Sequence, residues 1–239
     1  MNIRILITLL FGVTLFCSCQ PKQLPVNSLA ERVTEGTSKD RILFRMTPEK
    51  DDVSKDYFEI TAEDGKVLIV GNSDLSLATG LNWYLKYVAG IHLSWNNPSQ
   101  KLPEVLPLPT GKIRQETAMQ NRYYLNYCTY SYSMAFWDWE RWEAEIDRMA
   151  LQGINMPLMA VYGEYAVWQN TLRRLNFSET DIAAFLPGAG YEAWWLMGNL
   201  EGFGGPVSPE FIARQTDLQQ KMLKRMRELG MKPVFQGFY

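Results

Sequence analysis

The sequence predicts an α/β protein with a small α/β sandwich domain followed by a larger unit of parallel strands. Three observations predict this. Residues 40–115 hold short apolar runs around one amphipathic segment, residues 96–112 are rich in proline, and residues 116–239 alternate apolar strands with helical segments. Strands that are separated by helices favour parallel pairing through right-handed crossovers.

The N-terminus is typical of a secretory signal peptide. Arg4 supplies a positive start, residues 5–16 form an apolar run too short to span a bilayer, and Ser18 precedes Cys19. A cysteine directly after a small residue is typical of bacterial lipoprotein signals. We expect a signal peptide over residues 1–19, lipid on Cys19, and an exported protein anchored to a bacterial membrane, periplasmic or on the cell surface. An ordinary signal with incidental cysteines is the alternative.

Residues 20–39 are polar and contain two prolines, which predicts a tether between the lipid and the folded part. After loss of the signal, Cys128 is the only cysteine besides the lipidated one. We therefore expect no disulfide within the mature chain.

The small domain is predicted over residues 40–115. The turn signal Glu63-Asp64-Gly65-Lys66 favours a hairpin, and apolar residues at helical spacing predict a helix over 75–88 that Gly90 ends. Strands are predicted at residues 41–46, 57–61, 67–70 and 91–95, in the order β-β-β-α-β. His92, the only histidine, lies in the last of them and is expected to be structural.

The second unit is predicted over residues 116–239. Strands are expected at residues 122–131, 154–161 and 232–238, and helices at 139–150, 166–175, 178–185 and 209–229. Ser178 is the expected N-cap of the helix that ends at Phe185. An open doubly wound sheet and a (β/α) barrel both fit this order. No Gly-x-Gly-x-x-Gly follows the first strand, which disfavours nucleotide binding. In a barrel, the long glycine-rich insertion after the second strand lies on the rim that carries active sites.

Composition excludes several classes of function. The net charge is −2 without a basic block, so nucleic-acid binding is not expected. One histidine and one mature thiol predict no metal site, and we expect no cofactor. Eight Trp and twelve Tyr fit a large core, and they also fit a sugar cleft, where the apolar face of a pyranose stacks on a ring.

Four motifs carry a family resemblance. They are residues 121–133 (NRYYLNYCTYSYS), 136–147 (FWDWERWEAEID), 149–158 (MALQGINMPL) and 193–200 (AWWLMGNL). They closely resemble the α-N-acetylglucosaminidases, glycoside hydrolase family 89. The resemblance implies a small α/β domain, a (β/α)8 TIM-like barrel and a long all-α C-terminal domain. It also implies removal of terminal α-linked N-acetylglucosamine from glycans with retention of configuration.

The resemblance implies a set of sugar-pocket residues. These are Asn126, Cys128 and Tyr132 after the first barrel strand, and Trp194 and Met197 after the second. An asparagine amide offers a donor and an acceptor to sugar hydroxyls, and a tryptophan offers a stacking face. Methionine and cysteine give soft apolar walls that suit an acetyl methyl group. The implied partner is a glycan with terminal α-linked N-acetylglucosamine.

The resemblance places the catalytic carboxylates elsewhere. Retaining glycosidases need two carboxylates about 5 Å apart, and in the family both are glutamates on later barrel strands than the third, which ends at Tyr239. We therefore expect a barrel truncated after its third strand, no catalytic residue within the chain, and no activity of this polypeptide alone.

Other carboxylates in the chain have simpler roles. Asp138, Glu140 and Glu143 lie at a helix start, where acidic side chains oppose the helix dipole. Glu164 is the best local candidate, near the end of the second barrel strand, but a carboxylate at a helix entry is the preferred interpretation.

Two other functions stay open. One is a lipid-anchored glycan-binding module without hydrolysis. The other is a different glycosidase with a small α/β domain before its barrel, such as a hexosaminidase or an α-glucuronidase, although the motif of residues 121–133 disfavours it.

Overall fold

We describe the chain from a computed structural model, which places residues 23–47, 55–159, 163–200 and 204–235. The predicted signal peptide 1–19 and the lipidation site Cys19 lie outside the described residues. Within them, no helix has the length and apolar character needed to cross a membrane. The predicted α/β class is confirmed: helices pack against two open sheets, one in each unit.

The small domain is built on a four-stranded sheet. Its strands are β1 (Ile42–Met46), β2 (Asp56–Glu63), β3 (Lys66–Gly71) and β4 (Ile113–Thr117), in the spatial order β1-β3-β2-β4. Strand β1 is parallel to β3, and β2 is antiparallel to both β3 and β4. Asp64 and Gly65 both have positive φ at the turn between β2 and β3, which suits the right-handed twist of a tight hairpin. The predicted hairpin is confirmed.

Helix α2 (Asp74–Tyr87) covers this sheet, as predicted. The Ser73 side chain accepts a hydrogen bond from the Ser76 N–H at its first turn, which satisfies one of the free donors of the helix end. Leu77, Leu81 and Leu85 are buried against the sheet.

The predicted strand at residues 91–95 is wrong. Only Ile91 of this segment is buried, and Ser94 and Asn97 exchange backbone hydrogen bonds in a tight turn. The fourth strand of the sheet is instead β4, which pairs with β2. The apolar run 91–95 therefore packs as a loop, with His92 exposed at its surface.

The predicted tether over residues 20–39 is also wrong for its described part. Residues Pro25–Val33 form helix α1, with Pro25 at its first turn, where the missing N–H of proline costs nothing. Val26, Leu29, Ala30 and Val33 form one buried face. These four apolar residues stand at helical spacing inside an otherwise polar segment, so composition alone suggested a linker.

Three segments of the second unit lie side by side in parallel. Strand β5 (Tyr123–Tyr124) pairs with β6 (Met156–Pro157), and Leu158 bridges to Val234. The Val234 N–H donates to Pro157 O at 2.8 Å, and the Met159 N–H donates to Val234 O at 2.7 Å. The predicted parallel arrangement is confirmed, although residues 160–161 of the second predicted strand and 236–238 of the third lie outside the described residues.

Asn155 fixes the register of these segments. Its Oδ1 accepts from the Arg122 N–H at 2.8 Å, and its Nδ2 donates to Gln120 O at 2.6 Å. Its backbone oxygen accepts from the Lys232 N–H at 2.7 Å. One residue thus joins the starts of all three segments.

The first barrel strand is much shorter than the predicted span of residues 122–131. After Tyr124 the chain turns into helix α3 (Tyr127–Thr129) and a π-helical turn (Tyr130–Met134). Tyr130 is buried against Trp142, with ring centroids 5.7 Å apart. Burial of this ring draws the aromatic segment into a turn rather than a strand.

Four of the remaining five helices were predicted, and α7, which lies in the glycine-rich insertion, was not. The five are α4 (Trp139–Leu151), α5 (Gly163–Arg174), α6 (Glu179–Phe185), α7 (Glu192–Leu196) and α8 (Pro209–Glu228). Asp138, Ser178 and Ser208 cap α4, α6 and α8 through hydrogen bonds from the backbone to their side chains. The predicted cap at Ser178 is confirmed.

A buried charge network joins the two units. Asp147 of α4 accepts hydrogen bonds from Arg32 of α1 at 2.7 and 3.0 Å, and from Arg225 of α8 at 3.0 Å. Asp56 of the small domain pairs with Arg122 at the entry to β5. The small domain is therefore packed directly on the barrel segments.

Candidate functional site

The carboxyl ends of β5 and β6 lie at one edge because the strands are parallel. Leu125 follows β5 with a φ of 95° and a buried side chain. The strand therefore ends in a sharp bend, and the next residue, Asn126, is exposed.

Asn126 starts α3. Its side-chain oxygen accepts from the Cys128 N–H at 2.9 Å, which leaves the amide N–H groups of Asn126 to face solvent. Cys128 is a free, half-buried cysteine on the same turn. The structure thus places these two predicted residues next to each other, at the end of the first barrel segment.

The π-helical turn determines the position of Tyr132, the next predicted residue. The buried Tyr130 hydroxyl donates to Leu158 O at the end of the neighbouring segment. Tyr132, two residues further on, is 69% exposed. Local π-helical geometry is frequent at functional sites because it re-aims one side chain without ending a helix.

Helix α7 lies against α3 and the π-helical turn. The buried Ser131 Oγ accepts from the Ala193 N–H at 2.9 Å. This contact places the Tyr132 ring 6.1 Å from the Trp194 ring, at an interplanar angle of 75°. The structure therefore brings together two of the predicted pocket residues that lie 62 positions apart in the sequence.

The two adjacent tryptophans of α7 face different surroundings. Trp195 is buried against Trp168 and Phe185, at centroid distances of 4.8 and 5.2 Å. Trp194 is half-buried beside Tyr132. The core thus anchors α7 through Trp195 and leaves Trp194 at the edge.

Met197 ends α7 and is 41% exposed. Gly198 follows with a φ of 96°, and the Asn199 side chain donates to Trp194 O at 2.9 Å. These features close the helix and hold Trp194 and Met197 within one turn of each other. All five predicted residues therefore lie on α3, the π-helical turn or α7, or cap one of these helices, and the three elements are in mutual contact. Their role in sugar binding stays a prediction.

Two further residues at this edge were not identified from the sequence. One is Ser131, whose partner lies 62 residues away and leaves no local signal. The other is Glu192, a buried carboxylate in the first turn of α7. An aromatic-rich loop gave no indication that a carboxylate within it is buried.

Glu164 lies in the first turn of α5, in the segment that follows β6. Burial raises the pKa of its carboxyl to about 7, and a backbone hydrogen bond lowers it in part. A carboxyl with this pKa can exchange a proton near neutral pH. By contrast, Asp138 serves as the cap of α4, and Glu140 and Glu143 lie in its first turns, as expected.

No candidate metal site is found in residues 23–47, 55–159, 163–200 and 204–235. No group of three or more His, Cys, Asp or Glu side chains clusters there in a way that holds an ion. The five predicted residues at the edge offer an amide, aromatic faces, a thiol and a thioether.

Two family models match the chain. The model described as "Alpha-N-acetylglucosaminidase (NAGLU) N-terminal domain" matches residues 24–108, and "Alpha-N-acetylglucosaminidase (NAGLU) tim-barrel domain" matches residues 122–239. The first begins at α1, in agreement with the packing of that helix in the small domain.

Known proteins also match most of the chain. Human alpha-N-acetylglucosaminidase is 40% identical over 173 residues, which is 72% of this chain and 23% of that protein. Two structures of a family 89 glycoside hydrolase from Clostridium perfringens each cover 89% of this chain and 24% of theirs. One, with two glutamates replaced by glutamine and in complex with its substrate GlcNAc-alpha-1,4-galactose, is 37% identical with a TM-score of 0.81.

The other, in complex with 2-acetamido-1,2-dideoxynojirmycin, is 36% identical with a TM-score of 0.82. The chain thus spans about a quarter of the length of the relatives that it matches.

Proposed function

Because the chain belongs to the α-N-acetylglucosaminidases of glycoside hydrolase family 89, we propose that it supplies the small domain and the first barrel segments of an exo-acting glycosidase. The proposed reaction removes terminal α-linked N-acetylglucosamine from glycans. The substrate of the related Clostridium perfringens enzyme, GlcNAc-alpha-1,4-galactose, supports this choice of sugar.

The observation that carries the proposal is the edge-to-face arrangement of the Tyr132 and Trp194 rings. The two rings stand at 75° to each other, with centroids 6.1 Å apart. Such a pair offers one ring face for stacking and one ring edge for lateral contact with a pyranose. The Ser131–Ala193 hydrogen bond holds the two loops in register without a ligand, so little order has to be gained when the sugar binds.

The other three residues fit a sugar with an acetamido group. Asn126 offers amide N–H donors to a hydroxyl or to the acetamido oxygen. Cys128 and Met197 offer soft apolar surface to the acetyl methyl. Discrimination arises because a glucose hydroxyl in place of the acetamido group would leave this apolar surface unfilled.

Hydrolysis also requires catalytic carboxylates, in addition to the sugar-binding residues at this edge. We propose a retaining mechanism, in which two carboxylates about 5 Å apart act as nucleophile and acid/base. The two glutamates that are replaced by glutamine in the related substrate complex support a glutamate pair. We assign neither role to a residue described here, and we propose that residues 20–239 alone bind the sugar without cleaving it.

Membrane attachment is a separate part of the proposal. We propose that the protein is an exported lipoprotein with its lipid on Cys19, supported by the apolar run and the small residue before that cysteine. Metabolic labelling with a radioactive fatty acid tests this. Label should enter the wild-type protein and be lost in Cys19→Ser, whereas equal labelling of both would contradict the assignment.

The sugar site is tested by calorimetric titration of residues 20–239 with N-acetylglucosamine. Trp194→Ala should weaken binding about tenfold, a loss of about 1.4 kcal/mol. Phe177→Ala removes another exposed aromatic ring, 52% exposed between α5 and α6, and should leave affinity unchanged. An equal effect of both variants would contradict the site.

Activity is tested in the same preparation with an aryl α-N-acetylglucosaminide. We expect no release of the aryl group from residues 20–239, and release from a longer polypeptide that includes both carboxylates. Hydrolysis by residues 20–239 would show that the catalytic pair lies within these residues and would contradict the proposal.

A further inference from the structure

A continuous groove runs along the junction between α2 of the small domain and α4 of the barrel segments. It consists of three cavities of about 230, 360 and 290 Å³. The first and the middle cavity share Leu93, Arg148 and Leu151, and the middle and the third share Thr79, Trp83 and Gln152. We call this surface the junction groove. None of the five predicted sugar-pocket residues lines it.

The middle cavity is basic. Lys86, His92 and Arg148 line it, and none of its lining residues is a carboxylate. Glu145, which is fully buried, holds the Arg148 Nε and Nη2 atoms at 3.1 and 2.5 Å, and Nη2 also donates to the Tyr124 hydroxyl at 2.6 Å. The Arg148 side chain is therefore fixed in place, with Nη1 as its remaining donor atom within the described part of the chain.

Aromatic and amide groups surround these basic side chains. The rings of Trp83 and Tyr87 lie 4.4 Å apart on α2, and Tyr87 is 59% exposed. Asn82 and Gln152 line the same cavity with amide groups. Exposed rings beside amides are the groups that hold a pyranose by stacking and by hydrogen bonds to its hydroxyls.

We propose that the junction groove binds an acidic sugar unit of a glycan, a pyranose that carries a carboxylate or a sulfate. The sugar ring lies against Tyr87 and Trp83, its hydroxyls bond to Asn82 and Gln152, and its anionic group faces Lys86, His92 and Arg148. Charge-assisted hydrogen bonds to the anion supply the selectivity for acidic over neutral sugars. This site uses residues outside the proposed N-acetylglucosamine pocket, so the two proposals stand or fall separately.

The test is calorimetric titration of the full chain with four probes: glucuronate, glucose 6-sulfate, glucose and inorganic sulfate. We expect binding of one or both acidic sugars at least tenfold tighter than glucose or inorganic sulfate. Preference for glucuronate would identify a carboxylate sugar as the ligand, and preference for glucose 6-sulfate would identify a sulfated one.

Two variants locate the site. Lys86→Gln should weaken acidic-sugar binding about tenfold without affecting the fold, because Lys86 is exposed. Tyr87→Ala should lower the affinity for the acidic sugar and leave the affinity for inorganic sulfate unchanged. The matched controls are Lys224→Gln, an exposed lysine on α8, and Trp194→Ala, and both should bind the acidic sugars as tightly as the wild type does.

Three outcomes would overturn the proposal. They are equal affinity for glucose and for both acidic sugars, inorganic sulfate binding as tightly as the acidic sugars, and loss of acidic-sugar binding in Trp194→Ala. The last would place the acidic sugar in the proposed N-acetylglucosamine pocket and leave that pocket's assignment intact.

Discussion

The Ala193 N–H donates a hydrogen bond of 2.9 Å to Ser131 Oγ, and both residues are buried. Ser131 belongs to the turn after the first barrel segment, and Ala193 to the helix in the loop after the second. The contact therefore sets how far apart the two loops stand. The Tyr132 and Trp194 rings flank it on adjacent residues, so the ring pair depends on this one hydrogen bond.

Ser131→Ala should loosen the link between the two loops. The substitution leaves the buried Ala193 N–H without its acceptor, which costs about 1–3 kcal/mol of unfolding free energy. It should also weaken N-acetylglucosamine binding, because the rings are no longer held in register. Urea denaturation and calorimetric titration measure the two effects. Ser133→Ala, an exposed serine of the same turn, is the control and should change neither.

Asp147→Asn should destabilise the whole chain. Asp147 is nearly fully buried and accepts from the guanidinium groups of Arg32 and Arg225. The uncharged amide removes the nearest anion of both guanidinium groups and leaves them only longer ion pairs, at 3.5 Å to Glu143 and at 3.7 Å to Glu228. Breaking a buried ion pair in this way costs about 3–5 kcal/mol. Asp217→Asn, an exposed aspartate of α8, should cost less than 0.5 kcal/mol, about the limit for surface changes.

The same network predicts which of its two arginines contributes more to stability. The Arg225 side chain is 7% exposed and that of Arg32 is 34% exposed. Arg225→Gln should therefore destabilise the protein more than Arg32→Gln, since a better-buried partner is less screened by solvent. The reverse order in urea midpoints would show that Arg32 is the main partner of the carboxylate.

Glu164 should make stability dependent on pH. Burial raises the pKa of its carboxyl to about 7 in the folded chain, from an ordinary value of 4.5. Between these values the folded protein binds more protons than the unfolded chain. The unfolding free energy should therefore fall as pH rises from 4.5 to 7 and level off above that. Each pKa unit corresponds to about 1.4 kcal/mol, so a rise from 4.5 to about 7 corresponds to a loss of about 3 kcal/mol.

Glu164→Gln tests this prediction. The variant should match the wild type near pH 4.5 and exceed its stability above pH 7, because the neutral amide needs no desolvated charge. Glu104→Gln, an exposed glutamate in the proline-rich stretch, should follow the wild-type curve throughout. A constant difference between Glu164→Gln and the wild type at every pH would mean that the carboxyl does not titrate in this interval.

Local signals in the sequence predicted those elements whose cause is local. The Glu63–Lys66 hairpin turn and the Ser178 cap depend on neighbouring residues only. Parallel order followed from helices between apolar segments. Strand β4 and the turn at Tyr130 were missed because each depends on a distant partner: β4 pairs with β2, and the Tyr130 ring packs on Trp142.

The candidate site divides in the same way. Family motifs named Tyr132 and Trp194, and the structure places their rings together. Ser131 was out of reach because a serine in a polar turn gives no sign of a buried backbone donor 62 residues away. The junction groove was also out of reach, since its lining comes from α2, the loop after it and the end of α4.

Leu29→Ala should destabilise the small domain, although Leu29 lies in a segment with the composition of a linker. Leu29 is fully buried on the inner face of α1, which packs against α2. Truncation of a buried leucine removes transfer free energy and leaves a cavity, which together cost about 2–5 kcal/mol. Leu108→Ala, a leucine 41% exposed in the proline-rich stretch, should cost less than 0.5 kcal/mol. Equal urea midpoints for Leu29→Ala and the wild type would mean that residues 25–33 act as a tether and that the small domain folds without them.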